Sequence, residues 1–165
     1  MELGLLILRA VTGLLLAAHG VQKVSFHLGG KGLAGGTEEF RHDGFRGGVL
    51  TAVAAGATQI GSGALLAAGA LTPLAAAGAI GVMTVALTVK WSHGPWVQND
   101  GYEYPLFLIV AAAALSSTGP GAWSVDAVLG LLPWSGWWLA FAVVLGVGGG
   151  LATRTALHRS EPARS

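Results

Sequence analysis

The sequence predicts an all-α, polytopic membrane bundle: a four-helix core followed by a fifth, C-terminal transmembrane helix. Three observations predict it. Of 165 residues, 53% are hydrophobic and 10% charged, with a mean hydropathy of +0.64, whereas soluble domains carry about 25% charged residues to cover their surface. Long apolar runs recur, the longest being the 43 uncharged residues from Gly47 to Val89. The tryptophans Trp91, Trp96, Trp123, Trp134, Trp137 and Trp138 all fall at the ends of such runs, where amphipathic rings favour the headgroup zone. A buried soluble core would not sort them that way.

The first span covers about residues 3–23. Its start, "MELGLLILRAVTGLLLAAHG", reads as a retained helix rather than a cleaved leader. Glu2 stands where a leader carries a cation, Arg9 interrupts the apolar run, and no A-x-A site follows. About 20 residues cross the hydrocarbon core, so the uncharged run holds two helices, at about 47–70 and 73–91. Their break falls at "GALTPL", with Pro73 in the first turn of the second helix and Thr72 as its cap. A fourth span, about 104–117, is entered through "YEYPLFLIVAAAAL", and a fifth, about 133–153, follows "SSTGPGAWSVD". Residues 1–126 thus form the four-span unit, and residues 127–165 add one span and a short basic tail.

Lys23, Lys31, Arg41 and Arg46 border or occupy the first connection, Lys90 the third, and Arg154, Arg159 and Arg164 the tail. With five spans all of these share one side, which the positive-inside rule makes cytoplasmic. Four spans would split them. The first connection, "SFHLGGKGLAGGTEEFRHDGF", is expected to lie in the interface. Thr37 with Glu38 and Glu39 reads as a short helix start, and Phe26, Phe40 and Phe45 as anchors. Its glycines lack the G-x-x-x-x-G-K-[ST] order of a phosphate loop. Small pairs such as Gly56 with Gly63, or Gly146 with Gly150, let helices approach closely.

Function classes narrow quickly. A net charge of +1 leaves no nucleic-acid footprint. With no cysteine in the sequence, disulfides, zinc–thiolate sites and Cys-ligated iron–sulfur clusters within the chain are excluded. The histidines, His19, His27, His42, His93 and His158, show no i, i+4 pair, so no metal site is predicted. One could arise only by topology, from His19, His93 and an acid. Two haem ligands would need histidines facing each other within spans, and only His19 comes near.

In the first span "HGVQK" places His19, Gln22 and Lys23 on one helix face, with Thr12 and Arg9 near the same stripe. A charge facing lipid costs about 2.5–3.5 kcal/mol or more, so such groups turn to a cavity or the bundle interior. The plainer alternative has Lys23 snorkelling to the headgroups and His19 bonding a backbone carbonyl. Odd-numbered connections share one membrane side. The end of span one, the end of span three and the linker "HGPWVQNDGYEYP" therefore meet there. His19, Gln22, Lys23, His93, Asn99, Asp100 and Glu103 are expected to line one vestibule, with Trp91, Tyr102 and Tyr104 to pack a ring. Lys23 and Glu103 form the expected ion pair. Deeper, Thr58, Gln59 and Ser62 either bond between helices or contact a carbonyl-bearing ligand.

These pieces resemble the DoxX family of small bacterial integral membrane proteins over about residues 5–126. The resemblance rests on "LLILRAVTGLLLAAHGVQK", "GKGLAGGTEEF", "ALTPLAAAGAIGVM", and above all "NDGYEYPLFLIVAAAAL" followed by "GPGAWSVD". It implies a four-helix membrane bundle in the bacterial plasma (inner) membrane. It also implies a role in the membrane part of a thiosulfate:quinone oxidoreductase or with redox and oxidative-stress partners. The motif's His, Lys and Glu correspond to His19, Lys23 and Glu103 as catalytic candidates. Relatives commonly carry Glu where Gln59 stands, and the fifth span lies outside the usual pattern.

The expected function is a membrane redox subunit binding a quinone-like molecule, with no covalent cofactor. It is expected to act as an oxidoreductase only with a partner or bound cofactor. Ligand contacts are expected from Gln22, Gln59, Trp91, His93, Asn99, Tyr102 and Tyr104. Two other readings compete: a non-enzymatic scaffold docking soluble redox proteins through the first connection and basic tail, and a small-solute carrier. The carrier reading calls for an inverted repeat with paired broken helices, which the sequence does not show. Partners are the lipid bilayer and soluble or membrane redox proteins; a homo-oligomer is left open.

Overall fold

A computed structural model describes residues 1–158 of the chain. Its helices are α1 (Glu2–Val24), α2 (Gly32–His42), α3 (Val49–Ala68), α4 (Thr72–Lys90), α5 (Glu103–Thr118), the single turn α6 (Val125–Val128) and α7 (Trp137–Leu157). The molecule is an all-α membrane bundle. Helices α1, α3, α4 and α7 are long and apolar enough to cross a bilayer, and α5 is a shorter apolar helix. The fifth span begins four residues later than the sequence suggests, because Pro133 to Gly136 run ahead of the helix. The boundary drawn at residue 126 falls inside α6.

Helices α1, α3, α4 and α5 form a closed ring, each touching the next, and α7 packs outside against α4 and α5. The α1–α3 contact is backbone on backbone. A Cβ at Gly13 would strike the Gly63 carbonyl oxygen, and one at Gly20 the Gly56 carbonyl oxygen. Without a hydrophobic drive between helices in lipid, such close approach is what van der Waals attraction needs. At the centre, α4 contributes Ala75, Ala76, Ala79, Ile80 and Met83 to the core. Gly146 and Gly150 of α7 meet Ile80 and Thr84 of α4. The rest of α7 is mostly exposed, as expected of a helix facing lipid on most sides.

The α3–α4 turn ends as its sequence suggests, with Gly69 in the left-handed region (φ 65°). Gly69 and Ala70 donate back to Leu66 and Leu65, satisfying carbonyls the helix leaves unpaired. The start of α4 differs from expectation. Thr72 does not cap it. The cap is Asp126, 54 residues away, fully buried. Its carboxylate accepts from Leu71 N (2.6 Å), Thr72 N (3.0 Å), Thr72 Oγ1 (2.7 Å) and Trp134 Nε1 (3.0 Å). One carboxylate therefore ties the α3–α4 turn to the loop before α7, and it lies at a helix N-terminus, where negative charge is favoured. Buried Arg9 of α1 donates from Nη2 to the Trp123 carbonyl in the same layer.

Asp126→Ala strands two backbone N–H groups, a hydroxyl and an indole N–H. Unfolding in mixed micelles should show a loss of about 3 kcal/mol or more, since each stranded donor costs about 1–3 kcal/mol. Trp134→Phe should cost about 1 kcal/mol by the same measurement.

Candidate functional site

The site is built on the end of α1. Its last turns carry His19, Gln22 and Lys23 on one face, and α2 lies across them. The glycine-rich run before α2 permits this crossing: a Cβ at Gly36 would strike the Lys23 carbonyl, and one at Gly30 the backbone of Gln22 and Ser25. The Lys23 ammonium stands 2.9 Å from a Glu39 carboxylate oxygen and 5.1 Å from the centre of the Phe40 ring. The lysine side chain is 19% exposed and the glutamate 55%. One end of the pair thus lies in the protein and the other towards water.

The ion pair expected between Lys23 and Glu103 is not formed. Glu103 is exposed and accepts from Val97 N at 3.0 Å, and Lys23 is paired with Glu39 instead. The reason is the path of α2. It begins at Gly32, so Glu38 and Glu39 fall in its second half rather than at its start. Thr37 donates to Leu33 O within the helix instead of capping it, and Glu38 pairs with Arg41. The expected interface anchors divide too. Phe26 is 81% exposed, whereas Phe45 is buried, edge-on to Phe40 and to His158 at the end of α7. Arg159 and Arg164 of the basic tail lie outside the described residues.

Two cavities meet at Lys23 and Glu39. A polar cleft of about 650 Å³ between α1 and α2 is lined by His19, Gln22, Lys31, Glu38 and His42 besides the pair. An apolar groove of about 660 Å³ runs between α3, α4 and α7, from Leu65 and Leu74 to Phe40, Asp43 and the same pair. Thr58 and Ser62 line this groove. Gln59 does not. It is buried beside Gly20 of α1, and its Oε1 has no partner among the described residues.

Of the predicted site residues, His19, Gln22, Lys23 and Tyr104 come together. The Tyr104 ring stacks on His19 at 4.7 Å, with its hydroxyl 3.1 Å from Nδ1, which also lies 3.0 Å from Leu15 O. Gln22 donates to Leu28 O and holds the chain after α1. Tyr104 touches His19 but lines neither cavity, and Trp91, His93, Asn99, Tyr102 and Glu103 line neither as well. Their linker is folded on itself. Trp91 stacks on Tyr102 at 4.8 Å, Lys90 pairs with Asp100, His93 Nδ1 lies 3.3 Å from Asp100 O, and Gly101, Tyr102 and Glu103 donate to Trp96, Gly94 and Pro95. Asn99 closes the 3₁₀ turn Val97–Asn99 and is exposed. Among the described residues no group of three or more His, Cys, Asp or Glu could hold a metal ion.

Sequence reasoning missed Glu39, Phe40 and Asp43 at the site. The available signal was the lysine at the end of span one, which needs an anion from whatever crosses it.

A DoxX family model matches residues 4–91, more than half of the chain. The chain belongs to the DoxX family. The match spans α1 to α4, hence the Lys23–Glu39 pair, and stops before the "GYEYP" run. No curated protein matches the chain, and no solved structure does. This DoxX protein is a multi-pass membrane protein.

Glu103→Gln weakens one bond within the linker, about 1 kcal/mol or less. Hydrogen exchange should rise in residues 94–102 and stay unchanged in α1 and α2.

Proposed function

We propose that this DoxX protein is a plasma-membrane subunit of a bacterial redox system that binds a quinone-like molecule at the Lys23–Glu39 pair. One observation carries the reading: a polar cleft and an apolar membrane groove share that ion pair. A quinone needs an apolar place for its ring and tail, and titratable groups beside its oxygens with access to water. Phe40 and the groove supply the first. Lys23, Glu39 and His19 supply the second, with Glu39 in the place the sequence suggested for Glu103. The arrangement suits proton exchange at Lys23 Nζ or the Glu39 carboxylate, with the cleft as the route to water. Electrons come from a partner protein or its cofactor, because the side chains here hold none stably.

The purified protein should carry lipid-extractable quinone, or take it up when it is added. Lys23→Met and Glu39→Gln should each lower retention at least fivefold, and Glu103→Gln should change it less than twofold. Wild-type protein that neither carries nor takes up quinone would sink the reading.

A further inference from the structure

We infer that the segment between α5 and α7 is sunk among the acyl chains of its leaflet, beside the two buried charges of the described residues, Arg9 and Asp126. The partner of this face is lipid hydrocarbon, and the inference stands apart from the quinone reading. Register comes first. Helix α1 measures about 32 Å from Glu2 to Lys23, the thickness of a bilayer's hydrocarbon core. Leu3 and Ile7 in its first turns are exposed apolar side chains, so lipid reaches their level. Helices α3 and α4 stop short of it. Gly13 faces Gly63 and Ala67, and Gly20 faces Gly56 and Ile60, so α3 runs antiparallel to α1 and its end at Gly69 is level with Arg9. Asp126 donates its N–H to the Gly69 carbonyl in the same layer. Along α1 that layer lies about 9 Å below Leu3, inside the hydrocarbon.

The chemistry at that depth is what hydrocarbon allows. Between Gly119 and Gly136 the sequence has a single charged residue, Asp126, and it is fully buried. Val128 is 85% exposed and Leu129 63%. Trp123 and Trp137, both exposed, frame the loop as rings at the headgroup border do, and the face runs on into the exposed surface of α7. Backbone outside long helices is tolerated at such depth only where the protein itself satisfies its polar groups. Each amide from Asp126 to Leu131 donates within the protein, and the amides of Leu71 and Thr72 donate to the Asp126 carboxylate. The α3–α4 turn carries the same mark. Leu71 holds a left-handed backbone (φ 45°) with its side chain exposed. Glycine or asparagine takes that conformation more readily; an exposed leucine there is at home in hydrocarbon rather than water.

The sequence has no cysteine, so Val128→Cys and Leu129→Cys each offer one thiol for a nitroxide label on the full chain in liposomes. Leu131→Cys replaces either variant that does not insert. Val110→Cys, exposed midway along α5, gives the hydrocarbon reference, and Val97→Cys, exposed in the polar linker, gives the water reference. Power-saturation EPR reads collisions with oxygen, which concentrates in hydrocarbon, and with a water-soluble nickel chelate. At both loop positions the oxygen-to-nickel ratio should be nearer to that at Val110 than to that at Val97, and at least fivefold above the latter. A ratio nearer to that at Val97 puts the loop in water and overturns the inference. Low collision rates with both reagents mean that a second copy covers the face, and they overturn the lipid assignment as well.

Discussion

A lysine ammonium in the last turn of a membrane helix must find an anion, because leaving it bare against lipid is costly. Lys23 finds Glu39, and much of the rest follows from that contact. The anion arrives on α2, a helix that crosses the end of α1 so closely that only glycine fits at residues 30 and 36. Once α2 is there, Phe40 and Phe45 stand beside α3, and the end of α7 closes on Phe45 through His158. The cleft and the groove are the spaces left on either side of this crossing.

The second constraint is the width available between helices. Glycines at two levels of α1 and α3 bring those backbones into contact, and this draws the polar face of α1 under α2. Between α3 and α7 the small residues do the opposite. Those two helices stand apart on either side of α4, against which Gly146 and Gly150 of α7 pack closely, and Ala54, Ala57, Gly61 and Gly149 leave a trough between them. Glycine and alanine thus have two uses in one bundle, decided by whether the facing backbone is near enough to fill the space they leave.

Much of the fold was legible because it is local. Apolar runs, the "GALTPL" break and the tryptophans at run ends each lie within a few residues of the feature they mark. The side on which the polar groups gather was legible too, since span parity alone places the ends of α1, α4 and α7 with the start of α5. Which carboxylate reaches Lys23 was not. That depends on the path of α2 through a glycine-rich stretch whose conformation no periodicity fixes. The "HGPWVQNDGYEYP" linker misled for a related reason: its polar groups are numerous because they bond one another, Lys90 to Asp100 and Glu103 to Val97 N. Asp126 gave no local sign of capping α4, its partners lying far back along the chain.

On the proposed reading, a quinone head lies at the Lys23–Glu39 pair and its tail in the groove between α3, α4 and α7. Photo-crosslinking with two polyprenyl quinone probes, one reactive at the head and one at the tail end, followed by peptide mass spectrometry, tests it most directly. Head adducts are expected around residues 23 and 39–43, and tail adducts near Leu65, Leu74 and Leu145. Adducts of the head probe on Trp91, His93 or Tyr102, with none in α2, would contradict it.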